Sequence, residues 1–522
     1  MTMTTPHHTR KEPFVRLKDN PLLTAQTRRS FRESTLVKAL IVPAVLGICA
    51  LVAGQTRLGP WQFDFADELL MMLIGFFLLL QAPSRMSSLM AQERNSGILE
   101  FHQATPTSGW TDALGYLVGG TIRHYVRAFV LIPFLLIATL LNDSSFLDAL
   151  GAVLILCTTG IMYQLLAMLL GLIGGKRGFF GTLATAIPII LILFGQVLVK
   201  ADITILAHLT PYPALIDLSV LDAGLTSAGD TYTTFVFGMT LSPLFYTIVY
   251  HLFVASFLFW AVARKLRRTD ATVFSKPGAF IVYGVLSILL MSDLYSPALK
   301  MGRFALFVYL QTTVILGVLI TTFICPTLLQ YLRRKRRLAK DGASRSSHWA
   351  DSARVWATTG VFGLVWIALF YLVSERFVAF GVAQTAISIE SALLCLQVLG
   401  LFAFTAAVCE YAHFASGKSA LATLGLVVLI FVIVPWVFFA VGHLNETMKP
   451  LGYLGVLSPT YGTLFSITYY VSPLDKLPIT NGTEHLSHLF TWLTTGLFLW
   501  QTRTRLNWHS VSSSGGVNKL AQ

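Results

Sequence analysis

Long apolar runs separated by short polar and basic segments dominate the chain, and the length of those runs is its strongest structural signal. About 20 apolar residues coiled as a helix cross the ~30 Å hydrocarbon layer of a bilayer. Helices also satisfy their own backbone groups there. Twelve such runs stand out. Eight are clear: Thr35 to Ala53, Phe146 to Ile173, Phe180 to Val199, Leu241 to Val262, Phe304 to Leu329, Val355 to Val373, Ala386 to Val408 and Ala420 to Val441. Four are weaker. Phe63 to Gln81 opens with Asp64, Asp67 and Glu68, and Tyr116 to Leu141 carries Arg123, His124 and Arg127 in its first half. Gly278 to Leu294 and Leu486 to Trp500 are short, which a thinned bilayer or a bundle interior accommodates. The pattern predicts an all-α integral membrane protein with about 12 transmembrane helices.

Composition points the same way. Of 522 residues, 55% are hydrophobic and 12% charged, about half the roughly 25% charged share of soluble domains. Lys and Arg then set the orientation, because they favour the cytoplasmic side. With the N-terminus inside, only Arg57, Lys200, Lys300, Arg303, Arg376, Lys449 and Lys476 fall outside, against 31 of the 38 inside or at its edge. This predicts a multi-pass protein of the plasma membrane (a bacterial inner membrane) with both termini cytoplasmic. The net charge of +13 sits at loop ends, where it meets anionic lipid headgroups. Membrane lipid is therefore the expected partner of that charge, and nucleic acid is not. Cys49, Cys157, Cys325, Cys395 and Cys409 fall within or at the ends of apolar runs without a CxxC pair, so neither a disulfide framework nor a metal site is expected. The first 34 residues are polar and basic, and the first apolar run lacks a small-residue cleavage site, so no cleavable signal is expected.

The runs divide into two sets of six near Thr269-Asp270. The expected organisation is a cytoplasmic segment 1–34 with an interfacial helix, a first six-span unit 35–268, a second, divergent unit 269–503, and a cytoplasmic tail 504–522. Each set ends alike: two long runs, a moderately apolar outer segment (Ile203 to Leu221; Leu451 to Val471), and a final run. Leu209-Thr210-Pro211 and Leu457-Ser458-Pro459 hold similar places in those segments, which could form short helices dipping back toward the membrane. Near the N-terminus, Asp19 or Asn20 can cap a helix whose first turn holds Pro21, and Arg28, Arg29 and Arg32 make it basic.

The most informative polar stretch runs from Gln92 through Glu93, Gly97, Leu99 and Glu100 to Thr105-Pro106. A bare turn would reverse the chain here. The sequence offers instead a small amphipathic helix with Gly97 near its start, suited to a soluble partner's grip. The stretch resembles the cytoplasmic loop of ABC-2-type ABC transporter permeases, in which a Glu, a following Gly, an apolar-acidic pair and a closing Thr/Ser-Pro recur. The resemblance extends to the Asn-Pro-led N-terminal helix, although Gln26 stands where the family carries an acidic residue. It covers residues 20 to 265 well. The second half follows the span plan but lacks the motif: its corresponding loop, Leu329 to Asp351, is basic and Ser-rich.

The resemblance implies the membrane subunit of an ATP-driven exporter. Glu93, Gly97, Leu99, Glu100, Thr105 and Pro106 would meet separate ABC ATPase subunits, which would bind the ATP and Mg. The chain itself would bind no cofactor and would not be an enzyme. Either it supplies both halves or it pairs with a second permease chain. Ser416-Gly417-Lys418-Ser419 resembles the end of a phosphate-binding loop, but Ala412 replaces the required first Gly and its flanks are apolar runs. Arg123 and Arg127 are expected to snorkel to headgroups or to touch an amphiphilic substrate. His251 and Glu390 lie inside apolar runs, where ionisable groups are costly, and are candidates for a substrate or proton role. The alternatives are a 12-span secondary transporter, whose usual basic loop is missing after the second run, and a polytopic membrane transferase, for which no clustered His or Asp residues stand out.

Overall fold

The computed structural model describes residues 20–31, 33–55, 64–100, 107–142, 145–174, 179–200, 204–218, 234–268, 271–295, 302–326, 328–340, 353–373, 389–415 and 489–504. The chain divides into two compact units, Met1–Thr269 and Asp270–Gln522. Almost all of the described structure is helical. Among the described residues six helices are long and apolar enough to cross a membrane: Leu36–Gly54, Ala66–Asn95, Gly109–Leu141, Phe146–Ile173, Pro243–Arg267 and Ser391–Phe414, with a seventh if Tyr309–Ile324 and Leu328–Arg336 form one bent span. The chain is thus a helical, multi-pass membrane protein. The run from Ala420 to Val441 and the segment Leu451 to Val471 lie outside the described residues.

In the first unit, α1 (Pro21–Ser30) precedes the apolar α2 (Glu33–Gln55). α3 (Asp64–Gly75) continues through a π-helical stretch, Phe76–Gln81, directly into α4 (Ala82–Asn95). Three long helices follow: α5 (Gly109–Leu141), α6 (Phe146–Gly174) and α7 (Phe179–Lys200). Short helices α8 (Thr204–Ala207) and α9 (Tyr212–Asp217) lead to a hairpin and then to α10 (Pro243–Arg267). Much of α2 presents Val37, Ile41, Val45, Ile48 and Val52 outward, an apolar surface that suits acyl chains and would be untenable in water. The interior gathers Leu70, Ile74, Leu78, Leu131, Leu135, Leu156 and Tyr163 around the π-helical stretch.

Two departures from the sequence expectation stand out, the first of them in the second span. It does not end near Gln81 but runs on to Asn95, 30 residues from Ala66. Ala82 to Asn95 is too polar to read as membrane-spanning, yet it packs closely along α6. There Gly171 takes the place of a side chain: a Cβ on it would lie 2.7 Å from the Ser87 carbonyl oxygen and 2.9 Å from Met90 Cβ. Small residues let helix backbones approach in this way. The second departure is the hairpin. β1 (Thr234–Val236) pairs antiparallel with β2 (Met239–Leu241) across Phe237-Gly238, both at positive φ. Two central residues at positive φ define the type I′ turn that matches strand twist. The unit is therefore not wholly α.

In the second unit α11 (Lys276–Met291) and α14 (Trp356–Leu372) are shorter apolar helices. Between them lie α12 (Gly302–Ile324) and the basic α13 (Leu328–Lys340). α15 (Ile389–Ala415) is the long helix of this unit, and residues 489–504 form α16. The basic run Arg333 to Arg337, read from the sequence as a loop, belongs to α13.

Candidate functional site

The site is a seam between α4 and α5, closed at one end by α1. Asn20 starts α1: its side-chain oxygen accepts from the backbone N–H groups of Leu22 (3.0 Å) and Leu23 (3.2 Å), while Nδ2 donates to the Thr111 carbonyl of α5 (2.7 Å). Pro21 at the first turn costs no hydrogen bond there. The same residue that caps the helix also fastens it. Leu22, Gln26 and Ser30, spaced four apart, form the buried face. α5 receives this face on glycines: a Cβ on Gly119 would come within 2.8 Å of Gln26 Cβ, and one on Gly115 would meet the Asn20 amide.

Glu93 lies where α1, α4 and α5 meet and is only 3% exposed. Its Oε1 accepts from Gln26 Nε2 (3.3 Å) and faces Arg29 (3.8 Å), and its Oε2 accepts from the Tyr116 hydroxyl (3.4 Å). The sequence expectation set Glu93 among residues that a partner would grip. The structure instead turns it inward, where it joins three helices. Gln26, conspicuous in the sequence for not being acidic, is one of its donors. An acidic residue there would face Glu93 with like charge.

α4 ends at a defined elbow. Ser96 N–H bonds to the Gln92 carbonyl (3.0 Å), and Gly97 takes φ of +74°. That left-handed conformation is the usual helix stop, and glycine adopts it without cost. A Cβ on Gly97 would meet nothing within 4 Å. Its glycine therefore answers a backbone need, not the close approach of a neighbour. Gln92 to Asn95 is the last turn of α4, and after Gly97 residues 98–100 are helical again, where the sequence expectation put the start of its small helix. After the elbow Leu99 is buried, whereas Ile98 and Glu100 are exposed. Thr105 and Pro106 lie outside the described residues. Arg94, overlooked in the sequence, reaches from α4 to the last carbonyls of α6, donating to Leu172 and to Ile173 (3.2 Å). Unpaired helix-end carbonyls favour such a cation.

Further along the seam Gly120 faces Leu89 and Met86, then His124 and Arg127 face Arg85 and Gln81. Arg127 donates to Gln81 Oε1 (3.1 Å), and its guanidinium lies 5.7 Å from the Phe77 ring centre. Both contacts fall on the π-helical stretch. On another side of that stretch an apolar cavity of about 600 Å³ is lined by Leu69, Met72, Phe76, Leu80, Ile192 and Leu215, with Glu68 and Tyr212 as its main polar features.

His251 is fully buried in α10, its Nδ1 within hydrogen-bond reach of Thr158 (3.4 Å) and Thr159 (3.3 Å) of α6. His208, not singled out in the sequence, bridges Thr247 (2.6 Å) and Thr234 (3.0 Å) and so ties the α8–α9 segment to α10 and the hairpin. His251 Nε2 is buried without a hydrogen-bond partner among the described residues. Both histidines lie off the seam. Glu390 begins α15, and its side chain lies outside the described residues, as do Ser416 to Ser419. No group of three or more His, Cys, Asp or Glu side chains among the described residues could hold a metal ion.

The second unit contains a polar centre that sequence reasoning missed. Glu410 of α15, fully buried, accepts from Arg354 Nε (2.9 Å) and Nη2 (2.6 Å), Val355 N–H (3.0 Å) and Trp356 Nε1 (3.0 Å). Lys276, also fully buried, donates to the Ala353 (2.9 Å) and Arg354 (2.8 Å) carbonyls. Together they pin the start of α14.

Compared with known proteins, the chain matches no family model, no curated protein and no solved structure.

Proposed function

We propose that the chain is the membrane-spanning subunit of an ATP-driven exporter of the ABC-2 type, working with a separate ABC ATPase that uses ATP and Mg. The observation that best supports this reading is the length and ending of the second span. Thirty residues rise about 45 Å, roughly 15 Å more than the hydrocarbon layer. The surplus is braced by α1, by the Arg94 cap on α6 and by close packing along α6, and it ends in the Gly97 elbow with Ile98 and Glu100 outward. A braced helix end with an exposed elbow transmits a push as rigid-body motion. The apolar cavity beside the π-helical stretch suits an amphiphilic cargo.

On this reading both termini are cytoplasmic, the protein resides in a bacterial inner membrane, and the coupling surface is the segment 93–106. Ile98 and Glu100 would make the contact, with Glu93 holding the elbow in place. The two units would serve as two six-span halves, the second divergent.

Co-purification in mild detergent tests the proposal. An ATPase subunit should accompany the wild-type chain and be lost from the Ile98→Asp, Glu100→Lys variant, which alters exposed side chains only. Transport by the chain alone in liposomes, driven by an ion gradient, would overturn it in favour of a secondary transporter.

A further inference from the structure

The seam between α4 and α5 holds more positive charge than its own residues can satisfy. Arg127, Arg123 and Arg85 all act electrostatically on His124, and Arg123 and Arg29 act on Arg85. Among the described residues no carboxylate is among the charges acting on Arg85, His124 or Arg127. Glu93, two turns along α4, is occupied by Gln26, Tyr116 and Arg29. His124 is 9% exposed, and both of its ring nitrogens are buried without a hydrogen-bond partner among the described residues, as are the Nε atoms of Arg85 and Arg127. Buried donors without acceptors are costly, and the half-buried side chains of Arg85, Arg123 and Arg127 leave these guanidinium groups within reach of an anion from outside.

Position narrows what could supply it. Twenty residues from Ala66, enough to cross the hydrocarbon layer, reach the level of Arg85 and Met86. The cluster therefore falls at headgroup depth at the Glu93 end, the end at which Lys and Arg concentrate. Arginine forks are suited to phosphate oxygens.

We infer that Arg85, Arg123, His124 and Arg127 form a binding site for the phosphate of an anionic phospholipid headgroup. The site places an oxyanion between α4 and α5 and leaves the acyl chains along the outer surface of the helices. Its chemistry is recognition of a phosphate. A lipid and a soluble phosphate share that chemistry, and the test separates them. Binding requires no ATPase, so this inference stands apart from the transport reading.

The full-length protein, purified in detergent and stripped of lipid, is titrated with phosphatidylglycerol, phosphatidylcholine or inorganic phosphate, following its melting temperature and its bound lipid by native mass spectrometry. Phosphatidylglycerol should bind at least tenfold more tightly than phosphatidylcholine and raise the melting temperature, with inorganic phosphate giving little. The Arg123→Gln, Arg127→Gln variant should lose that preference. Without lipid it should melt close to wild type, because relief of like-charge repulsion offsets the lost Arg127 contacts with Gln81 and Phe77. Arg28→Gln, at an exposed position on α1, should keep the preference. Should the double variant not fold, Arg123→Gln alone carries the same comparison. Equal binding of the two lipids, or a preference that survives neutralisation, overturns the site. A full thermal shift from inorganic phosphate, with nothing added by phosphatidylglycerol, overturns the lipid as its source.

Discussion

Glu93 and Glu410 are both buried carboxylates close to the C-terminal end of a long helix, and they are held in opposite ways. Glu410 accepts four hydrogen bonds at 2.6 to 3.0 Å, two of them from one guanidinium, and its ion-pair partner is anchored in the same segment as its other donors. Glu93 has donors at 3.3 and 3.4 Å and an arginine at 3.8 Å whose side chain is 51% exposed. Hydrogen bonds weaken beyond about 3.2 Å, and a half-exposed ion pair contributes at most about 1 kcal/mol. One carboxylate is a fixed joint. The other is held by longer and weaker contacts. Its two donors and the arginine come from α1 and α5.

Substitution should expose this contrast. The largest effect belongs to Arg354→Ala, which strands Glu410 without its counter-charge. Breaking a buried pair from one side costs about 3–5 kcal/mol, so the variant should aggregate on extraction or melt far below wild type. A variant that melts within a degree of wild type would erase the comparison. Gly119→Leu comes next. It forces a side chain into the Gln26 contact, and overpacking costs about 1–3 kcal/mol. Limited proteolysis should then cut within residues 21–30 while the spans stay intact. Gly97→Ala should cost about 1–2 kcal/mol through its left-handed backbone alone, and Gly97→Asn should recover much of that by thermal melt. Equal effects of Ala and Asn would show that conformation is not the cause. The smallest stability change, about 1 kcal/mol or less, is expected for Glu93→Gln. If the proposed coupling holds, this variant should lose ATP-driven transport while melting almost as wild type does. Full transport would reduce Glu93 to one more structural carboxylate.

Of the twelve expected spans, the six long apolar helices among the described residues were legible, because run length reports bilayer thickness directly. The start of α1 was equally legible, since Asn20-Pro21 carries both cap and first turn locally. The continuation of the second span was hidden. Ser84 to Asn95 is polar, and it is helical because Gly171 and its neighbours on α6 admit it, a cause about 80 residues away in the chain. Glu410 with Arg354 and Lys276 was illegible for the same reason: their partners lie 56 and 77 positions apart. Of the site, the sequence marks Glu93 and Gly97 as unusual but does not show that Glu93 is buried. Burial depends on which neighbour occupies the facing helix, and nothing near residue 93 encodes that Gln26 does. The Phe237-Gly238 turn lies between Leu221 and Leu241, a stretch for which the sequence reading offered no element.

The π-helical stretch Phe76–Gln81 has one more implication, for insertions and deletions. A wider turn takes up one residue more than an α-helical turn, so removing one residue from it could restore regular winding without shortening the span appreciably. The wider turn absorbs that residue, so Glu93 would still face Tyr116 and Arg94 the end of α6. A single-residue deletion inside the stretch should therefore be tolerated, whereas the same deletion in the α-helical turns that follow it would rotate everything downstream by about 100°.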